Sequence, residues 1–213
     1  MAKFSFSLLL ILLSILCLLS SVEPSFASHP QQPRRSKARA YIEASCRTTR
    51  YPKLCVHCLS TYIKPNMTIQ SPQQLAQVAL SVSLYRAQYA RAYVLKVTRE
   101  LKELKAREYQ VVHDCLNQIN DSVAQLSESI KELRRLGQAT VGDDLFWHIS
   151  NVETWVSTAL TDAYTCVDEL PGKNMSKLKA TIKGKVLNVA EVTSNALTLF
   201  HRFAQRYRAA KKP

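Results

Sequence analysis

The sequence predicts an all-α fold, an antiparallel four-helix bundle preceded by a short N-terminal α-hairpin. Three observations carry this. Glycine is scarce, with 4 in 213 residues, or about 2% against a usual 7% or so. Hairpin turns, phosphate-cradling loops and α/β crossovers all draw on glycine, so a β-sandwich, a Rossmann domain and a P-loop enzyme are poor fits. Apolar residues recur at spacings of three and four over long segments, the period of one helix face. No segment alternates convincingly as a strand does.

Residues 1–27 read as a secretory signal peptide. Lys3 gives the basic start, an apolar stretch runs from Phe4 to Leu19 broken only by serines, and Ser25-Phe26-Ala27 supplies small residues for cleavage. The stretch is short for a span of about 20 residues, so no membrane attachment is expected once it is removed. Residues 28–37 (SHPQQPRRSK) are polar, basic and proline-bearing, and are expected to be flexible.

The domain proper is expected at 38–208, as a hairpin over 38–64 and a bundle over 71–208. In the hairpin, Tyr51-Pro52 breaks the chain, because proline disfavours helix at the residue before it. Leu54, Cys55, Cys58, Leu59 and Tyr62 then return at helical spacing. Ser71-Pro72-Gln73-Gln74 opens the first long helix with an N-cap, a proline at N1 and a capping-box glutamine. Its expected stripe runs from Leu75 through Tyr85, Tyr89 and Tyr93 to Leu104, and places those tyrosines in the core. The second helix is a heptad seam, with Val112, Leu116, Ile119, Val123, Leu126, Ile130 and Leu133 alternating by four and three. Arg135 to Gly142 ends it. Asp143 and Asp144 open the third helix, whose stripe is Leu145, Ile149, Val152, Val156 and Leu160. Pro171-Gly172 stops it. Asn174 is expected to cap the last helix, which runs from Leu178 to Tyr207.

Chemistry-bearing motifs are scarce. None of the five histidines lies in a tight metal spacing, and no GxSxG elbow, Walker loop or GxGxxG occurs. Asp143-Asp144 could imitate a carboxylate pair, but consecutive helical residues do not face each other. Cys55-Val56-His57-Cys58 resembles half a zinc site without its other half. No catalytic residue, metal or cofactor is expected.

Removal of the signal leaves Cys46, Cys55, Cys58, Cys115 and Cys166 in an oxidising compartment. Cys46 and Cys55 flank the Tyr51-Pro52 turn, so a bridge there would staple the hairpin. Cys115 and Cys166 lie on successive helices, and a bridge would cross-link them if the helices are antiparallel. Cys58 would then be the odd thiol. Spacing alone does not choose against other pairings, such as Cys46–Cys58. Asn66, Asn120 and Asn174 open sequons and are candidate glycosylation sites. The net charge of +13 calls for acidic company. Secretion turns that expectation from nucleic acid toward an extracellular acidic polymer.

Several separated motifs stand in order along the chain. They are Ile42-Glu43-Ala44-Ser45-Cys46 with Thr48 and Tyr51-Pro52-Lys53-Leu54-Cys55, then His113-Asp114-Cys115. Thr154-Trp155-Val156-Ser157-Thr158-Ala159-Leu160-Thr161-Asp162 and Thr165-Cys166-Val167-Asp168 follow, and Thr193-Ser194-Asn195-Ala196-Leu197 comes last. Together they resemble the plant invertase and pectin methylesterase inhibitor family. The resemblance implies a hairpin and four-helix bundle, bridges Cys46–Cys55 and Cys115–Cys166, and a non-enzymatic inhibitor of a secreted carbohydrate-active enzyme. The Pro-Lys-Phe motif of the invertase inhibitors is missing from Gly137 to Phe146. The Thr-Trp block is typical of the pectin methylesterase branch. That branch implies a one-to-one complex in the apoplast or cell wall, in which the bundle covers the esterase's pectin-binding cleft.

Thr165, Asp168 and Asp121 match positions that contact the enzyme. An ordinary solvated helix face is the plainer reading of the three. The branch often carries several acids after the matching cysteine, whereas Leu116 to Ser122 holds only Asp121. A glycan on Asn120 would crowd that surface, so either the sequon is unused or the contact is shifted. The chain stops after the bundle at Pro213, so a free-standing module is expected. Two other readings are an invertase inhibitor with an altered motif and a basic wall-binding helical protein with no enzyme target.

Overall fold

The computed structural model describes residues 32–63, 68–136, 143–170 and 176–210, and no strand occurs among them. The chain divides into units Met1–Pro33 and Arg34–Pro213, and the fold described here is the second. Among the described residues six helices follow in order: α1 Gln32–Cys46, α2 Pro52–Tyr62, α3 Pro72–Glu103, α4 Tyr109–Leu136, α5 Asp143–Glu169 and α6 Lys177–Ala210. The last four form the bundle. α3 packs against α4 and α6, and α5 packs against the same two; α2 lies on α3 and α6.

Cross-links between α4 and α5 fix their antiparallel register. Cys115 is bonded to Cys166, the Ser122 hydroxyl donates to the Ala159 carbonyl at 2.9 Å, and Glu132 meets His148 and Asn151. Moving up one helix is therefore moving down the other. The heptad seam of α4 is buried throughout, from Val112 to Leu133.

Helix ends follow local chemistry. The Ser71 hydroxyl accepts from the Gln74 N–H at 3.1 Å, while the Gln74 side chain reaches back to the Gln70 N–H at 2.8 Å, one residue before the expected capping-box partner. α3 is closed by Lys105, just past its Leu104 C-cap and with φ 50°, where Ala106 N–H donates to the Leu101 carbonyl and Lys105 N–H to the Lys102 carbonyl. That is a Schellman ending with lysine in the position glycine favours. At α6 the cap is Ser176, whose hydroxyl accepts from the Lys179 N–H at 3.3 Å. The expected cap, Asn174, lies outside the described residues, as do Pro171-Gly172 and residues 1–27. α1 begins at Gln32, inside the segment 28–37 expected to be flexible. Pro33 is tolerated in a first helical turn, and the arginine, lysine and alanine that follow favour helix.

The stripe assigned to α3 needs correcting. Tyr85 and Tyr89 are 58% and 57% exposed, Tyr93 is half-buried, and Leu104 is 77% exposed. Leu75, Val78, Val82, Val97 and Leu101 of the expected stripe are buried, but between them the seam passes through Ser83, Ala87, Ala90 and Val94 in place of the tyrosines. Small residues there let α3 approach its neighbours closely, and this turns the tyrosines outward.

Candidate functional site

The hairpin is clamped to the bundle by residues of the sequence motifs. Asn195, 3% exposed, accepts from the Tyr51 N–H and donates to the Tyr51 carbonyl, both at 3.0 Å. The Tyr51 and Tyr164 hydroxyls lie 3.2 Å apart. That bond, and then burial, push the Tyr164 phenol up to about 12. Arg202 donates to the Ser45 carbonyl at 2.8 Å and the Thr48 hydroxyl at 3.1 Å. Thr48, Tyr51 and Asn195 therefore hold architecture, and none of them forms a reaction centre. Cys46–Cys55 closes the same turn, and Cys58 is a free, buried thiol. Because the Cys55 sulfur is bonded to Cys46, the Cys-Val-His-Cys run does not form half a zinc site.

A polar core group went unnoticed in the sequence. Glu132 is 3% exposed, and takes hydrogen bonds from Arg135 at 2.9 Å and from Asn151 and His148 at 2.8 Å. Burial would raise its carboxyl, but the three partners outweigh that and hold it below the ordinary glutamate range. The group ties the end of α4 to the start of α5.

The outward face of α5 is the candidate site. Thr154, Thr158, Thr161, Thr165 and Asp168 recur by four and three, so they form one row. Thr158, Thr161 and Thr165 donate their hydroxyls to the carbonyls four residues back, at 3.0, 3.1 and 3.0 Å. Those hydroxyl oxygens stay free to accept from a partner. Thr165 is half-buried, and Asp168 is exposed one turn further on. Asp121 is exposed on α4, across the groove from Asp162.

Asp162, which sequence reasoning did not single out as a contact residue, joins the expected positions. Its Oδ2 is buried with no hydrogen-bond partner among the described residues. Burial, and then the charge of Asp121, raise its carboxyl above the ordinary aspartate range. The folded state therefore holds the Asp162 proton more tightly than the unfolded chain does. Its stabilising effect is complete at low pH and is lost as pH rises through the raised value. Asp162→Asn, which mimics the protonated form, is expected to melt higher than wild type at pH 7, with the gap closing toward pH 4. A constant gap in thermal scans across that range would count against this assignment.

Charge is divided between the helix pairs. α5 carries six carboxylates and no Lys or Arg, and α4 carries four against three. α6 carries seven Lys or Arg and one carboxylate, and α3 carries five and two. The threonine row thus sits on an acidic flank. Asn120 is exposed beside Asp121, whereas Asn66 and Asn174 lie outside the described residues. A separate cleft, at the end of the bundle and lined by Tyr41, Pro72, Leu75, Arg202 and Arg206, has no histidine or carboxylate among its lining residues. Among the described residues no group of three metal-ligating side chains occurs, and no helix is long and apolar enough to cross a membrane.

A hairpin clamped on an antiparallel bundle, with a polar acidic face and no reaction centre among its described residues, defines a binding protein of the plant invertase/pectin methylesterase inhibitor family. The chain belongs to that family, whose model matches residues 40–199. It is 45% identical over 206 residues to Pectinesterase inhibitor 9 of Arabidopsis thaliana, covering 96% of each chain. It is 40% identical over 204 residues to Pectinesterase inhibitor 11 of the same plant, covering 95% of this chain and 97% of that one. A crystal structure of a mutant form of a pectin methylesterase inhibitor from Arabidopsis shares the fold, with a TM-score of 0.56 at 18% identity, over 75% of this chain and 95% of that one.

Proposed function

We propose that the protein is a secreted, cell-wall inhibitor of pectin methylesterase that binds the enzyme one-to-one and makes no covalent bond. The observation that carries the mechanism is the acidic flank. A cleft built for a sugar polymer that leaves as a polycarboxylate presents hydrogen-bond donors, and cations serve its demethylated stretches. A rigid face bearing Asp121, Asp162, Thr165 and Asp168 offers the matching acceptors, and so competes for the groups that hold substrate. The α4–α5 disulfide keeps that face in one geometry, which lowers the ordering cost of binding. The family name and the relatives' names support the choice of enzyme. The surplus positive charge of the rest of the molecule would hold it to demethylated pectin.

The test is titration of a plant pectin methylesterase with purified protein, and of acid invertase in parallel. Esterase activity should fall to a residual level near one equivalent, and invertase should be unaffected. Asp168→Lys and Asp121→Lys should each weaken inhibition about tenfold or more, through like charge against the cleft. Inhibition of invertase alone would transfer the protein to the other branch of the family. No effect on either enzyme would leave a wall-binding protein.

A further inference from the structure

We propose that the α3–α6 groove, on the side of the bundle away from the threonine row, is a binding face for an acidic polysaccharide. Tyr85, Tyr89 and Tyr93 would stack on its sugar rings, and Lys185 and its neighbours would pair its carboxylates. The hairpin covers one half of this groove, where Cys58 and Leu59 pack toward Ala79, Val192 and Ala196. Tyr89 and Tyr93 stand in the other half, against Lys185 of α6, and Tyr85 lies one turn before Tyr89 on α3. They recur every four residues, about 6 Å along the axis per step. Tyr85 and Tyr89 stay more than half exposed. The Lys185 ammonium lies 4.7 Å from the Tyr89 ring and 4.8 Å from the Tyr93 ring, which fixes both rings in place.

Tyr89, exposed and held by Lys185, with the exposed Tyr85 one turn before it, makes an apolar platform that a protein interior does not explain. A pyranose ring offers the matching C–H face. The surroundings choose its charge. Between Pro72 and Arg99 on α3, and between Lys177 and Ala190 on α6, there are eight Lys or Arg and no carboxylate. A neutral glycan would gain nothing from them, whereas a polymer with one carboxylate per ring meets both features. The choice of galacturonan among acidic polymers rests on the proposed function; the face itself does not. Because this groove and the α4–α5 groove lie on opposite sides of the bundle, one molecule can hold polymer and enzyme together.

The experiment measures binding of the full chain to polygalacturonate by affinity electrophoresis or calorimetry, with no esterase present. Highly methylesterified pectin, dextran sulfate and single-stranded DNA serve as controls. Wild type should bind polygalacturonate in preference to all three, and added salt should weaken the binding. Y85A/Y89A should lose about tenfold in affinity, Y85F/Y89F should keep it, and Lys185→Ala should weaken it. Circular dichroism and esterase inhibition should be unchanged in all of them. Unchanged polymer binding by Y85A/Y89A, or equal binding to dextran sulfate or DNA, would overturn the proposal while leaving the inhibitory function standing. Failure of wild type to inhibit esterase, with tyrosine-dependent polymer binding intact, would do the reverse.

Discussion

Removing the long-range disulfide, with Cys115→Ala and Cys166→Ala together, is expected to lower stability by about 4 kcal/mol, because the bridge closes a loop of some fifty residues in the unfolded chain. The matching change at Cys46 and Cys55, which are nine residues apart, should cost about 2.5 kcal/mol on the same chain-entropy account. Urea denaturation of each variant, with the other bridge intact, gives the comparison. The larger loss should fall on the α4–α5 pair, where Ser122 and Glu132 supply the only other polar cross-links named above. If the long-range bridge proves worth less than 1 kcal/mol, apolar packing of the α4 seam already fixes the register, and the bridge is redundant.

The second large effect is expected at Asn195. Its amide satisfies both backbone groups of Tyr51, at the turn between the hairpin helices. Asn195→Ala leaves the Tyr51 N–H without its partner, at about 1–3 kcal/mol, and takes one of two donors from the Tyr51 carbonyl, which keeps the Cys55 N–H at 2.9 Å. A loss of about 1–3 kcal/mol follows, together with loss of hydrogen-exchange protection at the Tyr51 amide. Asn195→Asp is the sharper probe. It keeps the acceptor for the Tyr51 N–H but sets a carboxylate oxygen against the Tyr51 carbonyl, so it should be nearly as damaging as alanine. A neutral Asn195→Asp variant would mean that the carbonyl half of the clamp contributes nothing.

How much was legible depended on whether a residue's role was periodic or relational. The α4 seam was fully readable, because a strict four-three alternation of large apolar residues allows one buried face. The Ser71 start was readable from cap chemistry alone. α3 was readable at both ends, in Leu75, Val78, Val82, Val97 and Leu101, but misled in the middle, where the seam is built from Ser83, Ala87 and Ala90, residues too small to register as an apolar pattern. The larger tyrosines nearby stood out in their place. Glu132 and Asn195 could not be read from spacing, since each acquires its meaning from a partner on another helix. The threonine row was periodic and therefore available, but it lay inside a motif that drew attention to resemblance. Asp162 needed the structure, because its raised carboxyl comes from burial and from Asp121 on a different helix. Asp121, Thr165 and Asp168 of the proposed face were thus legible in the sequence, whereas Asp162 beside them is one that only packing reveals.

The division of charge between the helix pairs gives the molecule a transverse electric dipole, which its net charge of +13 conceals. The two flanks lie about two helix diameters apart, roughly 20 Å. That exceeds the Debye length, about 10 Å at 0.1 M salt. At that ionic strength each flank is felt separately, so an approaching ion-exchange bead of either sign would find something to hold. Near a matrix of fixed negative charge the molecule would rotate before it touched, with α6 leading and α5 trailing. Its diffusional search is then largely reduced to sliding and spinning about one axis, with the acidic side already turned toward the solution.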